Sequence, residues 1–200
     1  MAVIDVGGQV RHGEELDISA VEKWLKDQGV QLQGQAQVTQ YSGGASNWTY
    51  RLQYDNADLI LRRPPKGTKA KSAHDMACES IVPWHLVLFY PVLPEMIALC
   101  QDDSVIGCDF YVMNRIEGII PRANLPKELQ LDEQQVQQLC LNVLDKLIEL
   151  HQVPYQGTEL KKQSKGDGYC RRQVEGWDAR YSKALTPNVP DFAFVRQWLR

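Results

Sequence analysis

The sequence predicts an α+β protein, with a helix, three strands, a second helix, two more strands and then helices alone. Three observations carry that prediction. Residues 48–54 alternate Trp48, Tyr50, Leu52 and Tyr54 against Thr49, Arg51 and Gln53, the period-two pattern of a half-buried strand. Other short extended runs lie beside it, separated by turn residues such as Gly43-Gly44 and Asp55-Asn56. From Val136 onward the pattern changes: Val136, Leu139, Cys140, Val143, Leu144, Leu147, Ile148 and His151 fall at i, i+3, i+4, i+7 spacing for roughly four turns of helix.

Taken in order, the first ten residues contain a Gly-Gly pair and are expected to be loose. Ser19-Ala20-Val21-Glu22 has the form of a capping box. Ile18, Val21 and Leu25 follow at helical spacing, and Gly29 supplies a stop. Residues 35–41 and 48–54 read as strands joined by Ser42-Gly43-Gly44-Ala45-Ser46-Asn47. Leu59-Ile60-Leu61-Arg62 is a buried-type strand ended by Pro64-Pro65, and residues 66–72 form a charged loop. A helix is expected from Ala73 to about Ile81, where Pro83 interrupts it. Residues 95–101 and 109–116 are strands joined by an acidic turn at Asp102-Asp103. Beyond Gly118, Asp132 is the N-cap of the long helix, residues 156–168 form a polar loop, residues 169–184 are helical, and residues 192–200 remain amphipathic.

Composition bounds the function. With 44% hydrophobic and 24% charged residues the chain is globular, and its net charge of -3 gives no basic footprint for nucleic acid. The opening Met1-Ala2-Val3-Ile4-Asp5-Val6 lacks the features of a signal peptide. The apolar run over residues 81–93 is broken by Pro83, His85 and Pro91, short of the roughly 20 residues that cross a bilayer. No membrane partner is expected, and a cytoplasmic protein is. Cys78, Cys100, Cys108, Cys140 and Cys170 are scattered and odd in number, and the four histidines show no ligand spacing, so neither a disulfide framework nor a structural metal is expected.

The residues that could carry chemistry occur in a telling order. Transfer of a phosphoryl group from a nucleotide needs small residues over the phosphates, a cation touching them, an acid that holds the cation, and a backbone hinge for the base. Ser42, Gly43, Gly44, Ala45, Ser46 and Asn47 form the first of these, although Gly-Gly between strands is also an ordinary hairpin turn. Arg62 ends an apolar strand, where a cation is costly without an anionic partner; Glu79 on the following helix can supply one. Arg63 rivals Arg62, because a one-residue slip exchanges the faces of a strand. Met113-Asn114-Arg115-Ile116-Glu117-Gly118 lies where the last strand gives way to helix. Glycine turn, strand cation, helix acid and connector fall in this order within about 75 residues, and independent turns and surface charges would rarely do so.

The runs Ser42-Gly43-Gly44-Ala45-Ser46-Asn47-Trp48-Thr49-Tyr50, Leu59-Ile60-Leu61-Arg62-Arg63-Pro64-Pro65-Lys66-Gly67 and Ser72-Ala73-His74-Asp75-Met76 resemble the aminoglycoside phosphotransferase and choline kinase-like family. The branch most similar includes the kinase-like domain fused to some acyl-CoA dehydrogenases; Gly107-Cys108-Asp109-Phe110-Tyr111-Val112-Met113, Gly168-Tyr169, Arg172-Gln173-Val174 and Trp177 look like that branch too. The resemblance implies a protein-kinase-like two-lobed fold. Residues 1–117 would form a nucleotide-binding lobe with a five-stranded antiparallel sheet, and residues 118–200 the first helices of a second lobe. It implies ATP and Mg2+ as cofactors and a hydroxyl-bearing small molecule as acceptor, such as a hydroxyacyl-CoA or an aminoglycoside-like alcohol. It places residues 42–47 over the phosphates, Arg62 in the slot usually held by lysine, and Glu79 as its partner. Met113 would border the adenine pocket, with the Asn114 carbonyl and the Ile116 amide facing the base. The helix with Arg172, Gln173, Trp177 and Tyr181 would wall the acceptor side, or else simply pack on its neighbour.

Two departures from the family pattern bear on activity. Cys78 stands where the family has an arginine before the glutamate, and Ser80-Ile81-Val82-Pro83-Trp84 reads as a disturbed stretch. The His-x-Asp-x-x-x-x-Asn catalytic loop is absent from the 200 residues, so no catalytic residue is assigned, and the metal ligands are expected in a missing C-terminal part. The expectation is therefore a truncated kinase, inactive alone, whose uncovered helix from Asp132 to His151 needs a partner or associates with a second copy. A nucleotide- or partner-binding pseudokinase module and a degenerate product are the alternatives.

Overall fold

A computed structural model describes residues 7–42, 47–65, 75–121 and 124–200. It comprises two compact units, one extending to Pro154 and the other spanning Tyr155–Arg200. The first unit contains helix α1 (Ile18–Asp27) and strands β1 (Gln37–Gln40), β2 (Trp48–Gln53) and β3 (Asp58–Arg63). Helix α2 (Met76–Leu86), strand β4 (Met96–Cys100), the one-turn helix α3 (Asp103–Ile106), strand β5 (Phe110–Asn114), a 3-10 turn at Lys127–Leu129 and helix α4 (Glu133–His151) follow. The second unit holds α5 (Leu160–Gln163), α6 (Tyr169–Ala184) and α7 (Ala193–Leu199).

The five strands form one antiparallel sheet in the order β1-β2-β3-β5-β4. Strand alternation gives the sheet two unlike faces. Tyr50 and Leu52, Leu59 and Leu61, Ala98 and Cys100, and Phe110 and Val112 point to one face, where Val21 and Leu25 of α1 complete the main core. Trp24 meets Phe110 edge-on, with ring centroids 5.1 Å apart. Tyr111 and Met96 point the other way and pack with Met76 of α2, with Met113 beside them. This second face is only partly covered, and the candidate site lies there.

Several local expectations need correction. Helix α1 starts at Asp17, whose carboxylate accepts from the Ala20 amide at 3.0 Å; Ser19 lies within the helix rather than capping it. A carboxylate both caps and complements the helix dipole, so it outcompetes the hydroxyl two residues later. The far end closes as expected: Gly29 takes φ +85°, and the Val30 amide reaches back to the Leu25 carbonyl at 3.0 Å. The N-terminal segment is pinned at Gly8, which exchanges backbone hydrogen bonds with Gln40. The acidic turn is a helical turn, α3, capped by Asp102, and the polar loop 156–168 contains α5.

Pro83 does not interrupt α2; the helix continues through it to Leu86. Proline at this position removes the amide that would bond the Glu79 carbonyl and crowds that carbonyl with its ring, while burial of Met76, Ser80 and Leu86 holds the helix on either side. Helix α4 begins as expected, with a complete capping box between Asp132 and Gln135. Among the described residues, no helix is long and apolar enough to cross a membrane. Among the described residues, Cys78, Cys100, Cys108, Cys140 and Cys170 form no disulfide.

Candidate functional site

Parity along β3 decides which arginine faces the open side of the sheet. Leu59, Leu61 and Arg63 share the core face, while Ile60 and Arg62 share the opposite one. Arg63 is 3% exposed and wholly absorbed in structure. Its Nη2 donates to the carbonyl oxygens of Glu14 and Glu15 at 3.0 and 3.3 Å and to the Tyr50 hydroxyl at 3.1 Å. Its guanidinium stacks 4.8 Å from the Trp48 ring. Arg63 therefore ties the N-terminal segment to the sheet and is excluded from the cation slot.

Arg62 crosses to α2. Its Nη1 lies 2.6 Å from Glu79 Oε1. The same carboxylate accepts from the Tyr111 hydroxyl at 2.9 Å on Oε1 and from Asn47 Nδ2 at 2.5 Å on Oε2. Strand β3, strand β5, helix α2 and the start of β2 thus converge on one acid. Asp75 sets its position: the Asp75 carboxylate caps α2 through the Cys78 amide at 2.9 Å, and the Glu79 amide bonds the Asp75 carbonyl. Amide hydrogen bonds at this cap hold the Asp75 carboxyl below its usual range. Burial pushes the Tyr111 phenol well above its usual range; Arg62 opposes that shift and Glu79 adds to it.

The guanidinium retains an unsatisfied buried donor. Arg62 Nε is buried and has no hydrogen-bond partner among the described residues. A buried, unpaired donor on a permanent cation is costly, and an anion is the ligand that relieves it. Asn47, which anchors Glu79, is also the last residue of the Ser42-to-Asn47 run. Ser42 is exposed; Gly43, Gly44, Ala45 and Ser46 lie outside the described residues.

Along the same sheet face is a cavity of about 310 Å³, lined by Tyr41, Thr49, Ile60, Met113, Asn114 and Ile116 among others. The sheet takes up the Asn114 amide, bonded to the Glu95 carbonyl at 2.8 Å, and the Arg115 amide, bonded to the Asp58 carbonyl at 2.9 Å. Ile116 is the first residue past this ladder. The structure therefore brings Met113, Asn114 and Ile116 to one cavity, and Arg62, Glu79 and Asn47 to one cluster. Tyr111, Tyr41 and Arg115 were not singled out from the sequence. Tyr111 was legible in principle, since it alternates with the core residues Phe110 and Val112.

In the second unit, α6 and α7 enclose a separate groove of about 600 Å³ floored by Val174, Trp177, Tyr181 and Leu199. Asp178 joins the two helices through Arg196 at 2.5 Å and through Arg200. Hydrogen bonds from Arg196 and then Arg200 hold its pKa down to about 2. Among the described residues, no group of His, Cys, Asp and Glu side chains is placed to hold a metal ion.

Comparison with known proteins bears on the family and the fold. Residues 37–200 match the family model for the phosphotransferase enzyme family, APH. The chain is 33% identical over 204 residues to acyl-CoA dehydrogenase family member 11 of Gallus gallus, a match covering 100% of this chain and 26% of the relative. It is 31% identical over 191 residues to acyl-CoA dehydrogenase family member 10 of Mus musculus, covering 95% of this chain and 18% of that protein. Among solved structures, a candidate aminoglycoside phosphotransferase from Ralstonia eutropha superposes with a TM-score of 0.71 at 25% identity, over 92% of this chain and 53% of that one. The chain thus spans about a quarter or less of these curated relatives and about half of the solved structure.

Proposed function

The chain belongs to the phosphotransferase enzyme family, and from that premise we propose that it supplies the nucleotide-binding portion of an ATP-dependent small-molecule kinase. One observation carries the reading: Arg62 is braced by Glu79 while its buried Nε has no partner among the described residues. A guanidinium braced on one side and left unsatisfied on another is suited to receive an anion. The residues fit a nucleoside triphosphate. Arg62 would hold phosphate oxygens, Glu79, Asn47 and Tyr111 would keep Arg62 in place, and residues 42–47 would lie over the phosphates. Met113, the Asn114 carbonyl and the Ile116 amide would take the base in the 310 Å³ cavity. Bound ATP would supply the phosphoryl group; the part played by this chain is to bind it, orient it and balance its charge.

Mg2+ belongs to the same proposal, with ligands from outside the described residues. The acceptor is a hydroxyl-bearing small molecule. The acyl-CoA dehydrogenase names of the relatives favour a hydroxyacyl thioester, and the name of the solved structure an aminoglycoside-like alcohol. A cytoplasmic setting suits this chemistry. A second reading, a nucleotide-binding module without turnover, is favoured by one fact: these 200 residues contain no His-x-Asp-x-x-x-x-Asn run.

The nucleotide reading is tested by NMR titration of the labelled chain with a non-hydrolysable ATP analogue and Mg2+. The Arg62 Nε–H and Ile116 amide resonances should shift together and saturate at one affinity. Saturable binding that leaves both unmoved would refute the assignment.

A further inference from the structure

Arg115 belongs to the connector after β5, yet its side chain turns inward and is only 5% exposed. Its Nε donates to the Tyr41 hydroxyl at 3.2 Å, and its Nη1 to Asp58 Oδ2 at 3.0 Å. Asp58 is held from the other side by Arg51, through Nε at 2.7 Å and Nη2 at 2.8 Å. Burial alone would raise the Asp58 pKa, but the hydrogen bonds from the two arginines outweigh it and keep the carboxylate charged. The result is a chain of contacts running from β2 through β3 and the connector to Tyr41.

Tyr41 is where that chain meets the cavity. Its amide extends the β1–β2 ladder to the Thr49 carbonyl at 2.9 Å, so its backbone is fixed just before the 42–47 run. Tyr41 and Arg115 both line the 310 Å³ cavity, which also presents Ile60 and Met113. An aromatic ring on a strand end can take several rotamers, and a ligand that stacks on it must select one. The hydrogen bond from a buried guanidinium makes that selection in advance.

We propose that Arg115 is a positioning residue: through the Tyr41 hydroxyl it sets the Tyr41 ring as a wall of the cavity, and so governs affinity for a flat heterocyclic base independently of the phosphates. This rests on the nucleotide reading above and adds a residue pair to it. The pair acts on the base end of the ligand, whereas Arg62 and Glu79 act on the phosphate end.

The test is isothermal titration of the 200-residue chain with adenosine, MgATP and inorganic tripolyphosphate as separate probes. Tyr41→Phe keeps the ring and removes the hydroxyl; Arg115→Gln removes the charge. Each should weaken adenosine and MgATP by the same factor, roughly three- to ten-fold, and leave tripolyphosphate unchanged. The double variant should bind adenosine no more weakly than Arg115→Gln alone, because both substitutions remove the Arg115–Tyr41 hydrogen bond, while Arg115→Gln also gives up the Asp58 ion pair. Additive losses, equal losses for tripolyphosphate, unchanged adenosine binding in Tyr41→Phe, or a parent chain that binds MgATP but not adenosine would each overturn the proposal. A parent chain that binds none of the three probes would instead sink the nucleotide reading itself. If Arg115→Gln fails to fold, Tyr41→Phe alone decides between these outcomes.

Discussion

Arg62 and Glu79 meet at 2.6 Å, joining the middle of the sheet to the helix that follows it. Both side chains are 30% exposed, so the pair itself contributes little stability, about 0–1 kcal/mol. Its partners make the two ends unequal. Removing Arg62 deletes one donor, whereas removing Glu79 leaves the Tyr111 hydroxyl and the Asn47 amide without this acceptor.

Arg62→Ala should therefore cost no more than about 1 kcal/mol, and Glu79→Ala about 2–3 kcal/mol. Urea denaturation of the two variants gives the comparison directly. Equal losses would mean that Glu79 is not the shared acceptor.

Arg63 should behave oppositely to Arg62. Arg63→Leu leaves the carbonyls of Glu14 and Glu15 without a donor and removes the stack on Trp48, and should cost about 2–4 kcal/mol. Hydrogen exchange should show the Gly8–Gln40 backbone pair opening first. Nucleotide affinity measured below the unfolding range should stay within about two-fold of the parent, because Arg63 faces away from the cavity.

These two arginines show what was legible in the sequence and what was not. Strand alternation was visible in Trp48, Tyr50 and Leu52, because side chains on a half-buried strand must sort by face. The identity of the facing arginine was not. Neighbours such as Arg62 and Arg63 exchange roles with a one-residue change of register, and only the pairing of Arg62 with Tyr111 and Thr49 settles it. The long helix was read correctly from its apolar stripe and Asp132. The start of α1 is ambiguous in the sequence because Ser19-x-x-Glu22 and Asp17 both satisfy local capping rules; the structure selects Asp17, whose carboxylate also complements the helix dipole. Pro83 reads as a break because its local cost is large; burial of Met76 and Leu86, invisible locally, outweighs it. Tyr41 and Arg115 lie 74 residues apart, so their contact has no local sequence signal.

Pro83→Ala should restore a donor to the Glu79 carbonyl and stabilise α2 by about 1–3 kcal/mol. The readout is the thermal midpoint together with the hydrogen-exchange rate of the amide that the substitution creates at position 83. A loss of stability would show that the proline itself is needed to seat Met76 or Leu86.

Alkaline pH should loosen the fold. Burial raises the phenol pKa of Tyr50, Tyr54 and Tyr111 above the unfolded value of about 10. Their neutral forms contribute stability that is fully present below about pH 10 and is lost as pH rises through the folded values. The urea midpoint at pH 11 should fall below that at pH 8, and Tyr111→Phe should reduce the difference. An unchanged pH response in Tyr111→Phe would contradict the buried environment described for this ring.

Acid should act on the second unit. Asp178 titrates near 2 when held by Arg196 and Arg200, so its contribution is present above the unfolded carboxylate value of about 3.9 and lost as pH falls toward 2. The intrinsic fluorescence of Trp177 should change over that range in the parent chain and not in Asp178→Asn. Identical traces would show that Asp178 does not join α6 to α7.

On the proposed function, Arg62, braced by Glu79, receives the phosphates of a nucleotide. Calorimetric titration of the 200-residue chain with MgATP, compared with folded Arg62→Ala, tests it most directly. The parent chain should show saturable one-site binding and the variant a loss of at least about ten-fold, the effect of deleting a charge-assisted contact. A parent chain that binds no nucleotide, or an Arg62→Ala chain that binds it equally well, would contradict it.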